Sequence, residues 1–158
     1  MSSELTTGTI ADVAAMQRID IAEARIIAMG GQQPATIGSS PDICPVTNHF
    51  TPGLYCREIF MPAGAVVTSR IHRYRHPFVM SLGKCFVYMG GEEPGAWRML
   101  EAPYFGITEP GTRRFLYILE DTIWTTFHVT DKTDVDEIVR DITIEYENPL
   151  LAREASNA

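Results

Sequence analysis

At 158 residues the chain has the length of one domain, enough to bury a core unaided. Its 45% hydrophobic and 21% charged residues exclude wholesale disorder. A net charge of -7 argues against DNA or RNA as a main partner, because a nucleic-acid footprint is positive.

The first thirty residues hold Glu4, Asp12, Asp20 and Glu23 and no apolar run suited to a signal peptide or membrane span. The expected setting is therefore cytoplasmic, with no membrane partner. Three cysteines, Cys44, Cys56 and Cys85, lack CxxC spacing and read as reduced thiols.

In chain order, residues 9–29 (TIADVAAMQRIDIAEARIIAM) are alanine-rich with periodic apolar positions and predict one or two short helices. Thr9 is the candidate cap and Gly30-Gly31 the candidate stop. A Gly/Pro/Ser-rich connection, GGQQPATIGSSPDICPV, follows. From about Gly53 to Val129 come short β-prone runs: LYCREIF, AVVTSRIH, KCFVYM, RRFLYILE and TIWTTFHVT. They are separated by the turn signals PAG, SLG, GGEEPG, EPG and ED, which predicts an antiparallel sandwich or barrel. DKTDVDEIVRDI reads as a short helix capped by Asp131 or Thr133, and NPLLAREASNA as a tail. The expected division is a helical segment and connection over 1–45, a barrel over 46–130, and a short helix with tail over 131–158.

Three of the four histidines fall on these runs. Strand alternation puts Thr68, Arg70 and His72 on one face, and a turn at RYRHP brings His76 back toward it. Trp124 and Thr126 share the face of His128, while His49 sits apart in TNHF. GGEEPG lacks the lysine and serine of a phosphate loop, and no nucleophile elbow surrounds any serine. Glu58 and Asp121 are acid–base candidates that read more simply as surface charge, so no catalytic residue is assigned.

The order Gly64, Arg70, His72, His76, Gly83 resembles the first signature of the cupin superfamily, G-x5-H-x-H-x3-E-x6-G. Arg70 replaces its first histidine and His76 its glutamate. Gly111 fits the glycine of the second signature, Pro110 lies one place from its proline, and Arg114 stands where its histidine would be. Over about residues 45–140 the chain is similar to small single-domain cupins encoded by tailed bacteriophages and prophages. That resemblance implies a mainly β fold: a single-domain, cupin-type antiparallel β-barrel (a double-stranded β-helix or jelly roll) with short terminal helices. It also implies a homodimer or larger homo-oligomer, in the host cytoplasm or associated with the virion.

His72, His76 and His128 are candidate ligands for zinc, iron, nickel or copper. An arginine ~6 Å from a divalent ion repels it by roughly 5 kcal/mol at an effective dielectric of ~20. Arg70 and Arg114 therefore suit a small anionic partner better, and Arg70, His72, Arg114, Trp124 and His128 form the candidate ligand-binding set. Whether Arg113 or Arg114 faces inward depends on the turn in YILEDTIW. A two-residue loop at Glu120-Asp121 selects Arg113, and a three-residue loop selects Arg114. The expected function is to bind a small anion, a transition metal or both, sequestering a host metabolite or signalling nucleotide. The alternatives are a metal-dependent oxygenase, isomerase or lyase, and a virion component. Outward-facing Ile123, Phe127 and Val129, with Phe115, Tyr117 and Leu119, are the expected oligomer surface.

Overall fold

Two long strands organise the computed structural model, which describes residues 13–28, 43–88 and 97–156. Strand β5 (His76–Tyr88) pairs antiparallel with β8 (Phe115–Val129). Around them lie β1 (Val46–Thr51), β2 (Leu54–Met61), β3 (Val66–Thr68), β6 (Trp97–Glu101) and β7 (Tyr104–Thr108). The sheet runs β1-β2-β8-β5-β6, with β3 also on β8 and β7 also on β5. A separate pair joins β4 (Ile71–His72) to β9 (Thr143–Ile144). The fold is thus mainly β and antiparallel, with short terminal helices, as expected.

Two expected turns are absent. Ser81, Leu82 and Gly83 lie inside β5, and Glu120-Asp121 lies inside β8. What the SLG signal marks is a series of bulges between Met80 and Cys85, where the strand bends. Gly83 has φ 98, and a Cβ there would collide with Thr122 and the Asp121 carbonyl. Only glycine fits that bend.

Alternation along β2 buries Tyr55, Arg57, Ile59 and Met61. From β8 come Leu116, Ile118, Thr122, Trp124 and His128, and from β5 Phe78, Met80, Cys85 and Val87. Phe78 and Trp124 stack at 4.1 Å and 8° in the centre of this core. Each large apolar side chain buried here contributes about 1.5–3 kcal/mol.

Helix α1 (Val13–Ala28) lays Ala15 and Ile19 against Tyr88 and Phe115 on the outer face of the sheet. The expected cap Thr9 and stop Gly30-Gly31 lie outside the described residues. Helix α2 (Val135–Ile142) is capped by Asp134 rather than Asp131 or Thr133: its Oδ1 accepts from Glu137 N at 2.8 Å. The segment read as a tail contains helix α3 (Pro149–Ser156). Proline at its first position and Asn148 Oδ1, accepting from Leu150 N at 3.0 Å, set its start. Asn148 Nδ2 also donates to Glu23 at 2.9 Å, tying this end of the chain to α1.

Candidate functional site

An unbroken β8 continues one parity from Arg114, just before the strand, to His128. Of its even positions Leu116, Ile118, Thr122, Trp124 and His128 are buried, Thr126 lines the same interior, and Glu120 alone is exposed. Arg114 therefore faces inward with His128, without the hairpin loop expected to decide the matter. Arg113 faces the other way and pairs with Asp20 at 2.8 Å and Glu23 at 3.0 Å.

The sheet edge and its small partner bring in the other histidines. β4 holds His72 by pairing it with Thr143, and His72 O accepts from Gly111 N at 2.7 Å. His76 opens β5, and its Nδ1 lies 2.9 Å from the Tyr74 carbonyl. A carbonyl only accepts, so Nδ1 carries the proton and a neutral His76 presents a lone pair at Nε2. The ring centroids of His76 lie 4.5 Å from both His72 and His128, and those of His72 and His128 are 6.3 Å apart. The three histidines converge. Tyr55 stacks on His128 at 6.0 Å and is itself packed under Ile138 and Ile142 of α2.

Arg70 does not join them. The strand breaks after Thr68, so alternation is not carried to Arg70, which is exposed between β3 and β4. Its expected place is taken by Arg57, only 6% exposed, on the inner face of β2. The sequence reading missed Arg57. Its signal is in LYCREIFM, where an arginine falls in phase with Tyr55, Ile59 and Met61.

Arg57, Ser69, His72, Arg114 and Thr126 line the polar part of a cavity of about 60 Å³. Thr68 and the apolar Ile59, Met61, Val67, Leu116 and Trp124 form the rest. Arg114 Nη1 donates to Thr108 Oγ1 at 2.9 Å, and its guanidinium lies 5.0 Å from the Phe78 ring centre and 5.7 Å from that of Trp124. Its Nε and Nη2 are buried without partners, as are His72 Nδ1 and His76 Nε2.

Burial sets the charges in this cluster. It holds His72 well below the usual imidazole range, helped by His76, His128, Arg114 and Arg57. It pushes His128 down to about 3, with contributions from His76 and Arg57. His76 is lowered by burial and by Arg114, against its bond to Tyr74. Arg114 comes down to about 10 through desolvation and remains charged at neutral pH. The site thus holds neutral imidazoles beside two cations.

Neutral imidazoles are suitable metal donors. However, among the described residues no group of three or more His, Cys, Asp or Glu side chains is arranged to hold a metal ion. With Arg114 and Arg57 beside the rings, the arrangement does not fit a bare divalent ion. Cys44, Cys56 and Cys85 are free thiols. No helix among the described residues is long and apolar enough to cross a membrane.

No protein-family profile matches the sequence, and no curated protein matches it. Similar solved structures include the salicylate 1,2-dioxygenase of Pseudaminobacter salicylatoxidans, at 18% identity and TM-score 0.49 over 78% of this chain and 34% of that one. Another is the Cupin_2 domain of an XRE-family transcriptional regulator from Enterobacter cloacae, at 16% identity and TM-score 0.45, covering 56% of this chain and 98% of that one. An acetylacetone dioxygenase from Acinetobacter johnsonii overlaps 54% of this chain and 59% of its own, at 16% identity and TM-score 0.44. Each likeness is partial, and of the three only the Enterobacter domain is described as a cupin.

Proposed function

We propose that the protein binds a small anionic molecule in the cavity between β2, β4 and β8. The observation that carries this reading is the contrast among its three buried arginines. Arg113 has two carboxylate partners, whereas Arg57 and Arg114 have none among the described residues. A buried charge without a counter-charge is costly, and a bound anion supplies one. The cavity of about 60 Å³ favours a small metabolite over a signalling nucleotide. The resemblance to phage and prophage cupins makes a host metabolite the ligand to look for. Native mass spectrometry of protein purified from its host, joined to a thermal-shift panel of organic acids and nucleotides, tests the reading. An empty protein that ignores the whole panel ends it.

A metal-dependent enzyme is the second reading: His72, His76 and His128 converge, and a metal among them would need a bound anion to offset Arg57 and Arg114. Elemental analysis that finds no transition metal, even after reconstitution, removes it. The proposal extends to assembly as a homodimer or larger oligomer. Met99, Phe86 and Tyr117 are cross-strand neighbours on β6, β5 and β8, exposed at 56%, 40% and 43%, while the described part of α1 packs on the adjoining Tyr88 and Phe115.

A further inference from the structure

We infer that the ligand is a small monocarboxylate, gripped side-on by Arg114, with a short apolar body lying against Leu116 and Trp124. This rests on the anion-binding reading above and adds the ligand's chemical class. Arg114 has one end committed, Nη1 donating to Thr108 at 2.9 Å. The atoms left without partners are Nε and Nη2. Their N–H bonds lie parallel on one edge of the guanidinium, which is the edge that pairs with both oxygens of a carboxylate. The plane of that edge is restrained, because the guanidinium rests against the stacked Phe78 and Trp124 rings. Arg57 adds a second positive charge to the lining.

Beyond that end the walls change character. Ile59, Met61, Val67, Leu116 and Trp124 offer no strong hydrogen-bond donor that could satisfy further anionic oxygens. The indole N–H of Trp124 is the one donor among their side chains, and the hydroxyl of neighbouring Thr68 is already committed to Glu23 at 2.6 Å. A phosphate or sulfate would desolvate its remaining oxygens against hydrocarbon, whereas an alkyl group gains from the same contact. The volume limits that group. About 60 Å³ is roughly four to six water-sized positions, enough for a body of a few carbons.

The experiment is isothermal titration calorimetry at neutral pH with acetate, propionate, butyrate, hexanoate, inorganic phosphate and sulfate. Affinity is expected to rise about fourfold per methylene from acetate to butyrate and to fall at hexanoate, when the cavity is full. Phosphate and sulfate are expected to bind at least about tenfold more weakly than butyrate. Leu116→Ala enlarges the cavity and should move the optimum toward the longer acid. Arg114→Lys, which replaces a fork by a point charge, should weaken butyrate about tenfold or more. Phosphate or sulfate binding as tightly as butyrate overturns the inference while leaving anion binding intact. So does an affinity indifferent to chain length, or an Arg114→Lys protein that keeps its butyrate affinity. If Arg114→Lys does not fold, the chain-length series in Leu116→Ala decides alone. If none of the six anions binds, the anion-binding reading falls with it.

Discussion

Arg113 and Arg114 are adjacent in the chain and buried in opposite directions, one onto two carboxylates of α1 and the other into a cavity with none among the described residues. Their removal should therefore have opposite consequences. Arg113→Met strands Asp20 and Glu23 in the interior and should cost about 3–5 kcal/mol. Arg114→Met removes a cation that burial already penalises, so the ligand-free protein should be as stable as the parent or more so. Urea denaturation of the two variants checks this. Equal losses would mean that Arg114 is as well compensated as Arg113.

The bend in β5 makes a second prediction. Gly83→Ala places a methyl group against the Asp121 backbone, which cannot move aside as a side chain would. The left-handed conformation adds about 1–2 kcal/mol of its own. The variant should lose more than about 2 kcal/mol in a thermal or urea melt. A loss confined to the backbone cost alone would show that the two strands separate easily at the bulge.

Gly83 also illustrates how far the sequence could be read. The β-rich texture and the inward phase of Trp124, Thr126 and His128 followed from alternation, because one buried face fixes the period. The SLG and ED signals misled, because glycine and acidic residues mark a change of backbone direction without saying whether the chain reverses or merely bends. Arg70 was placed by extending an alternation through a break after Thr68, and register is lost wherever a strand is interrupted. Arg57 was legible and overlooked. An arginine in phase with Tyr55, Ile59 and Met61 has no solvent to reach, and that alone marks it. The buried role of Asp20 and Glu23 was not legible, since only the tertiary fold brings Arg113 and Asn148 to them.

Assembly gives a third prediction. Tyr117 is paired with Phe86 in the β5–β8 register, and Phe86 with Met99 in β5–β6, so the exposed row spans three strands. Lys84 beside it bridges Glu101 at 3.5 Å and Glu120 at 3.6 Å, a polar rim to an apolar centre. Sedimentation equilibrium at micromolar concentration should give a mass above 17.6 kDa for the parent and a monomer for Tyr117→Lys. A parent that sediments as a single 17.6 kDa species removes the oligomer.

The last prediction concerns acid. His72 and His128 titrate far lower folded than unfolded, because burial and neighbouring positive groups oppose their charged forms. A depressed pKa stabilises the fold fully above the unfolded value of about 6.5, and that contribution is lost as pH falls toward the folded value. For His128 the window runs from there down to about 3. Each proton taken up only by the unfolded chain costs about 1.4 kcal/mol per pH unit, so the two together should approach about 3 kcal/mol per unit below pH ~6. His76 is shifted the same way and adds to the slope. Urea midpoints measured from pH 7 to pH 5 should fall steeply for the parent and less steeply for His128→Gln. A parent whose midpoint holds constant across that range would mean these imidazoles already carry protons in the folded state, and hence that an acceptor faces them.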